Sequence, residues 1–438
     1  MKKTMKQVAA CILALCLTLV SAVPVLAANE NASAQTADKT VPTAETVKAE
    51  ALATANYVLA QTDFSDLSDT SKMYNCSTTL ILAIRAGADC TDAISAYLNS
   101  AKKIVNADGT LNVSVAAYGY PNDTFSSYAY LLMVLALTDN DATNFEGANI
   151  VLAFNNILKN AKAEDFNNGY DMTSYASTGI NPYHIGYINS AVEAYSSLMP
   201  DYSTISATLK AGLVLVTTDN KGINYGGSFS ADNNGTVYPH FAKAYADDAN
   251  MRQLIDKVIA YTETTYFDNT NGTTHSIYND YFTGALIDEP NPDSTALALA
   301  LYSQFDKADL AAASYNALVK NYKSATTAGA YTYGGADSMY SSKDALTSLV
   351  TYSYKLQEKG YPFDVSDALN ADNTPDETKP DNGAADNNTT DENKPDKDIV
   401  NTGDASNALP YAAVTLIAFS VIMLTAAGRT NRNKTYHI

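Results

Sequence analysis

Apolar positions along the centre of this 438-residue chain follow two patterns, and both are helical. In the first the apolar residues run all round, as in Leu80 to Ile84, Tyr130 to Leu137 and Ala296 to Leu301. A helix of that kind in water has to be buried on every side. In the second, apolar pairs recur with charges between them, as in Leu254-Ile255-Asp256-Lys257-Val258-Ile259. Ile94, Tyr97 and Leu98 repeat that spacing, and Leu310, Tyr315, Leu318 and Tyr322 do so more loosely. Such helices cover a core with one face and meet water with the other. Strand-like alternation is scarce.

The two kinds alternate with a period. Pro121, Pro182, Pro239 and Pro292 each precede an apolar helix, where proline suits the first turn, and further apolar helices begin near Ser71 and Ser341. These six starts are separated by 50, 61, 57, 53 and 49 residues. Gly-containing loops fall between them: Asp108-Gly109, Asn168-Gly169, Gly226-Gly227, Asn271-Gly272 and Gly334-Gly335. Periods of this length mark a repeat architecture. Six buried and six covering helices without polar end caps predict a closed ring. The expected fold is all-α: an α/α toroid of six helix pairs over residues 44–369.

Both ends depart from this pattern. Lys2, Lys3 and Lys6 precede an apolar run from Val8 to Val20, and Val25-Leu26-Ala27 offers small residues for cleavage. That layout predicts a signal peptide over 1–27, followed by a short linker over 28–43. Residues 370–404 are rich in Asp, Asn, Thr and Pro and nearly devoid of large apolar side chains. They cannot bury enough surface to order themselves, which predicts a disordered linker. Residues 405–438 carry an apolar span, Leu409 to Ala427, and then Arg429, Arg432 and Lys434. This reads as a C-terminal membrane-spanning helix with a basic cytoplasmic tail. Val400-Asn401-Thr402-Gly403 just upstream resembles a sorting signal cut by sortase between Thr402 and Gly403. Ile399 and Val400 stand where that signal has Leu and Pro, so a plain membrane anchor is the alternative. Either way the expectation is an exported cell-surface protein, held to peptidoglycan or membrane.

The net charge of −19 argues against nucleic acid and anionic membranes as partners. Cys76 and Cys90 are the cysteines beyond the leader. A helix over 74–86 would hold their Cα atoms roughly 16–20 Å apart at about 1.5 Å per residue, against under about 7 Å for a disulfide. Two free thiols are expected.

Asn291-Pro292-Asp293-Ser294-Thr295-Ala296-Leu297-Ala298-Leu299, Ser342-Lys343-Asp344-Ala345-Leu346 and Ile84-Arg85-Ala86-Gly87-Ala88-Asp89 resemble repeats of the toroids of terpenoid cyclases and protein prenyltransferases. The resemblance spans about 45–365. It is nearest a surface-protein branch of Gram-positive bacteria, with the B12 carriers intrinsic factor and transcobalamin more distant. It implies the toroid, and it allows the catalysts of those families to be sought here. The Asp-x-Asp-Asp acid of squalene-type cyclases is missing, since Tyr245 and Ala246 precede Asp247-Asp248, and the chain has no Trp. Zinc needs three or four converging ligands, and Cys76, Cys90, His184, His240 and His275 form no close pair. Asp268-Asn269-Thr270-Asn271-Gly272 begins like a calcium loop but places Gly one position early. No metal and no cofactor are expected.

What stands out is 31 Tyr. Many flank the loops that open on one face of a toroid, a setting suited to stacking on a flat or sugar-like ligand. The plainer reading is that tyrosines bridge a buried interior to water. Asp123, Tyr183, His184, Tyr225, Tyr238, Asp293 and Tyr333 are the candidate ligand-binding residues, with a glycan or a corrinoid as ligand, and Asp293 doubling as a helix cap. The function expected is a surface-anchored, non-catalytic binding or adhesion module with a Tyr-rich ligand-binding face, in preference to an enzyme. The alternative is a glycan-active lyase or glycosidase on the same barrel. A lyase could use Tyr183 and His184 as base and acid, though ordinary packing explains that pair as well. A glycosidase needs paired carboxylates, for which Asp280 and Asp288-Glu289 are candidates. Only Arg85 and Arg252 lie in the body, few for clamping anionic sugars.

Overall fold

The computed structural model describes residues 36–116, 123–166, 179–224, 229–279 and 283–369. Contacts divide the chain into two units, Met1–Pro375 and Asp376–Ile438, and every described residue falls in the first. In chain order its helices are α1 (Ala44–Ala60), α2 (Thr70–Ala86), α3 (Thr91–Ile104), α4 (Thr124–Leu137), α5 (Ile150–Leu158), α6 (His184–Ala194) and α7 (Tyr202–Val216). They continue with α8 (Ala231–Val237), a short α9 (Ala242–Asp247), α10 (Ala249–Tyr266), α11 (Pro292–Gln304), α12 (Ala308–Tyr322) and α13 (Met339–Leu356).

The apolar helices close on themselves. α2 packs on α4, α4 on α6, α6 on α8, α8 on α11, α11 on α13, and α13 returns to α2. Around them α1 covers the seam between α13 and α2, while α3, α5, α7, α10 and α12 each lie against inner helices. The mostly helical, toroid-like architecture follows from the alternation of apolar and amphipathic helices. Every residue from Leu80 to Ala83 and from Ala296 to Leu301 is buried.

Polar side chains set the helix starts by accepting otherwise unpaired backbone N–H groups. Asp69 caps α2 through Lys72 N, Asn149 caps α5, Ser230 caps α8, Asn291 caps α11 and Ser338 caps α13. Gly87 ends α2 with φ +82°, a left-handed turn that glycine makes without strain.

The inner helices all point the same way, and contacts between their N-termini run right round one rim. Ala116 N, ahead of α4, donates to Thr70 Oγ1 at 3.0 Å. Asn181 N, ahead of α6, donates to Asp123 Oδ1 at 3.0 Å. Tyr183 OH donates to Asn233 Oδ1 of α8. Ser294 of α11 lies against Asp232, and Ser341 of α13 against Asp293. Lys343 Nζ closes the circuit onto Asn75 Oδ1 of α2 at 2.8 Å.

The opposite end is sealed. After α13 the chain doubles back and buries Tyr361, Phe363 and Val365. A short α14 (Ser366–Leu369) then lies against α4 and α6. Arg85, in the last turn of α2, latches this plug: Nε donates to Pro362 O at 3.1 Å, Nη2 to Asp364 O at 2.8 Å, and Nη1 to Asp367 Oδ2 at 2.7 Å.

Several expectations need correcting. The fourth inner helix begins at Ala231, not at Pro239, which sits in a 3-10 turn (Tyr238–Phe241) following it. Residues 36–43 belong to the folded unit: Ala37 is buried, Ala37 N donates to Asn269 O at 3.0 Å, and Asn316 Nδ2 donates to Asp38 O at 2.9 Å. Among the described residues three antiparallel hairpins interrupt the helices: β1 (Thr217–Thr218) with β2 (Gly222–Ile223), β3 (His275–Asn279) with β4 (Leu286–Pro290), and β5 (Tyr331–Tyr333) with β6 (Ala336–Ser338). Among the described residues no helix is long and apolar enough to cross a membrane. The span expected at 409–427, the leader and the Thr402–Gly403 motif lie outside them.

Gly235 shows how tightly two inner helices meet. A Cβ there would fall on the backbone carbonyl of Leu297 in α11. Backbone cannot swing aside as a side chain can. Gly235→Ala should therefore lower stability by about 1–3 kcal/mol in denaturant titration, despite the roughly 1 kcal/mol that alanine gains in a helix. An unchanged or raised midpoint would show that α8 and α11 are not in close contact.

Candidate functional site

Three aspartates gather on the N-terminal rim from three successive inner helices. Asp232 and Asp293 are the second residues of α8 and α11, and Asp344 lies one turn further along α13. Ser230, Asn291 and Ser338 already cap those helices. The carboxyl groups are thus free for other work. Each is half-buried.

Their electrostatics differ from those of surface carboxylates. Burial pushes Asp232 up to about 6, the charge of Asp293 adds to the rise, and the Ser294 hydroxyl opposes it. Burial also raises Asp293, against the pull of Ser341. Asp344 is raised well above the usual carboxylate range, by burial first and then by Asp293 and Asp232, with Lys343 opposing. Removing a carboxylate from water disfavours its charge, and like charges nearby do so again. Asp232 Oδ1 and Asp293 Oδ1 are buried atoms with no hydrogen-bond partner among the described residues.

Tyrosines share an electrostatic environment with these acids. Tyr333, on β5, is 47% exposed. Its hydroxyl is raised by burial and then by the charges of Glu289, Tyr278, Asp293 and Asp232. Tyr278 on β3 and Tyr340 at the start of α13 are also exposed. Below, rings fill the axis of the toroid down to the plug. Tyr74 feels the charge of Asp344, and burial pushes its hydroxyl up to about 12. Tyr74 meets Tyr130 and Tyr187 edge-on at 5.7 and 5.8 Å, Tyr187 meets His240 at 4.3 Å, and His240 meets Phe363 at 5.0 Å. Burial lowers His240 to about 3, so the ring is neutral.

The residues expected from sequence fare differently. Asp293 and Tyr333 belong to this site. Asp293 is not the cap of its helix: Asn291 Oδ1 accepts from both Asp293 N and Ser294 N. Asp123, Tyr183 and His184 are on the same rim, one or two helices away. Asp123 is buried, with Oδ1 3.9 Å from His184 Nε2, while His184 Nδ1 meets Tyr130 OH at 2.7 Å. Burial lowers the His184 pKa and Asp123 raises it in part. Tyr238 is corrected: it is fully buried, with its hydroxyl 2.8 Å from Thr217 Oγ1, and offers no ring to a ligand. Asp288 pairs with His275 Nδ1 at 2.6 Å across the β3–β4 hairpin. Tyr225 and Asp280 lie outside the described residues. Sequence reasoning missed Asp232 and left Asp344 without a role.

Among the described residues no cluster of His, Cys, Asp or Glu could hold a metal. Cys76 and Cys90 are buried free thiols. A recess of about 630 Å³ lies elsewhere, on the outer wall between residues 36–38 and α12. It contains none of the three acids.

No protein-family model matches the chain, and no curated protein does. Solved structures do. A glycosyl hydrolase of family 88 from Bacteroides vulgatus matches with 11% identity and a TM-score of 0.47, covering 72% of this chain and 100% of its own. A family 105 glycoside hydrolase of C. acetobutylicum matches with 9% identity and a TM-score of 0.46, covering 69% and 99%. An unsaturated glucuronyl hydrolase with dGlcA-Glc-Rha-Glc matches with 12% identity and a TM-score of 0.48, covering 73% and 99%. At this identity the likeness is one of fold. The three matched proteins are glycoside hydrolases, so they lend nothing to the expectation of a non-catalytic adhesion module, and that expectation is withdrawn.

Proposed function

We propose that the chain is a glycan-active enzyme of the glycoside hydrolase type, working at the cell surface, with its site at Asp232, Asp293 and Asp344. The observation that carries this reading is internal to the chain: three half-buried carboxyl groups stand near the starts of three successive inner helices, and burial raises each of them. Cleavage of a glycosidic bond needs two carboxyls in opposite protonation states. One donates a proton to the leaving oxygen. The other, ionised, activates water or meets the anomeric carbon. Asp232, raised to about 6, is the proton donor. Asp293, whose rise is opposed by Ser341, is the partner carboxylate. Asp344 is held well above the usual carboxylate range, by burial and then by Asp293 and Asp232. The Tyr333 ring supplies a stacking face for a sugar.

The surface location rests on the layout of the two ends: a leader over 1–27, a spacer over 370–404 and an anchor over 405–438. The lyase alternative finds less support, because Tyr183 OH is engaged by Asn233 and His184 by Tyr130.

The test is release of reducing ends from a panel of polysaccharides by the full-length chain, followed against pH. An acid that must be protonated loses its proton as pH rises through its pKa. Cleavage should therefore decline on the alkaline side, with the limb centred near about 6. Absence of reducing ends across the panel would overturn the reading. A rate still climbing above pH 8 would remove Asp232 from the role of acid.

A further inference from the structure

Among the described residues three tyrosines are exposed: Tyr278 at 41%, Tyr333 at 47% and Tyr340 at 78%. The other described tyrosines are buried or half-buried. All three exposed rings belong to the surroundings of the acids. Tyr340 is the second residue of α13, the position that Asp232 and Asp293 hold in α8 and α11. Its neighbour Ser341 lies against Asp293. Tyr333 is on β5, which packs on α11 and α13, and Tyr278 is on β3, which packs on α11 as well. After burial, the charges of Glu289, Tyr278, Asp293 and Asp232 raise the Tyr333 hydroxyl, so these residues are in mutual electrostatic reach.

An aromatic ring left in water forgoes the gain from burying a large apolar face. Elsewhere the fold avoids that loss: Tyr97, Tyr195, Tyr238 and Tyr302 are fully buried. Exposed rings gathered at one place mark a surface that a ligand or partner covers. A pyranose suits such rings, because it sets a C–H face beside its hydroxyls whatever charge it carries. The bond to be cut is flanked by two sugars. Three rings on three elements, β3, β5 and α13, offer a face to more units than that. We propose that Tyr278 and Tyr340 bind sugar units beyond the bond that is cut, so that this site works on a glycan chain in preference to a disaccharide. The inference rests on the hydrolase reading and adds to it the length of the substrate.

The experiment measures kcat/KM of the full-length chain on xylo-, manno-, gluco-, chito- and galacturono-oligosaccharides, each from the disaccharide to the hexasaccharide. Tyr278→Ala, Tyr340→Ala and the corresponding Tyr→Phe variants are compared with the parent. In the series cleaved best, kcat/KM should rise about tenfold or more with length, about 1.4 kcal/mol in transition-state binding. Each alanine variant should lose about three- to tenfold on the hexasaccharide, the range for a lost aromatic contact. The loss should fall on KM and not on kcat, as for binding that substrate and transition state share, and it should shrink towards the disaccharide. Phenylalanine keeps the ring and should restore most of it. Both side chains are exposed, so all four variants should melt with the parent. A kcat/KM that is flat with length, or alanine variants that lose equally at every length, overturns the chain-length inference and leaves the hydrolase standing. Failure of the parent to cleave any series overturns the hydrolase reading, and this inference with it.

Discussion

Asp232→Asn should lose about 10²–10⁴-fold of the glycan-cleaving rate, the usual contribution of a positioned general acid, without unfolding the toroid. Asn keeps the size of the side chain and cannot release a proton to a leaving oxygen. Its effect on stability should run the opposite way to its effect on rate. The folded-state pKa of Asp232 is about 6, above the 3.8 of the free side chain. Between those values the native state holds a proton that the unfolded chain has released, so stability falls as pH rises through this window. The penalty is absent at pH 3 and complete above about 7. The shift corresponds to an opposing free energy on the order of 2–3 kcal/mol at neutral pH. Asn, never charged, escapes it. The variant should melt higher than the parent at pH 7, and the gap should shrink towards pH 4. A variant that keeps full activity, or that melts lower at pH 7 than at pH 4 relative to the parent, would remove Asp232 from the site.

Phe363→Ala should cost about 3–5 kcal/mol, the range for truncating a buried phenylalanine. Phe363 is fully buried, 5.3 Å from the Tyr187 ring and 5.0 Å from His240, at the sealed end of the toroid. Its removal leaves a cavity lined by rings that helices on all sides hold in place, so the site cannot collapse to fill it. Denaturant titration gives the number. The neighbouring latch supplies a second reading, because Arg85→Ala strips four hydrogen bonds from residues 362–367 while leaving the aromatic column intact. If both variants change stability by less than about 1 kcal/mol, the C-terminal segment merely drapes over the ring and does not plug it.

How much of this could be read from sequence depended on whether a pattern had one physical cause. The inner helices at 80–84, 130–137 and 296–301 were legible because only burial on every side explains such runs. The start of α8 was not. Ala231-Asp232-Asn233-Asn234-Gly235 looks like a loop, yet Asn233 and Asn234 are buried. Their side-chain amides donate to Ile223 O and Lys221 O at 3.0 Å each, so polarity there marks internal bonding and not exposure. Tyrosine was ambiguous for a related reason. Tyr97, Tyr195 and Tyr238 find hydroxyl partners at Ser77, Leu132 O and Thr217, which lets them lie deep in the core. Tyr333 differs only in standing on a hairpin, and that hairpin leaves no apolar alternation in the sequence. The acids were hidden by distance along the chain. The one available signal was positional: Asp232 and Asp293 fall at the same place in consecutive inner helices, and a repeat ring brings equivalent places side by side.

The seam where α1 lies against α13 and α2 has a consequence for how the chain comes to be folded at all. Glu50 and Lys323 meet there at 2.6 Å across 273 residues, and Arg85 and Asp367 meet at the plug across 282. The earliest-made helix thus waits for the latest. At about 5–20 residues per second of synthesis, a chain emerging N-terminus first spends tens of seconds with its inner faces uncovered. No subset of the helix pairs can close the ring in that interval. The entropy of joining such distant segments rises only slowly with their separation, so the burden is kinetic: a long exposure of aromatic and aliphatic surface, ended by the last few dozen residues of the folded unit.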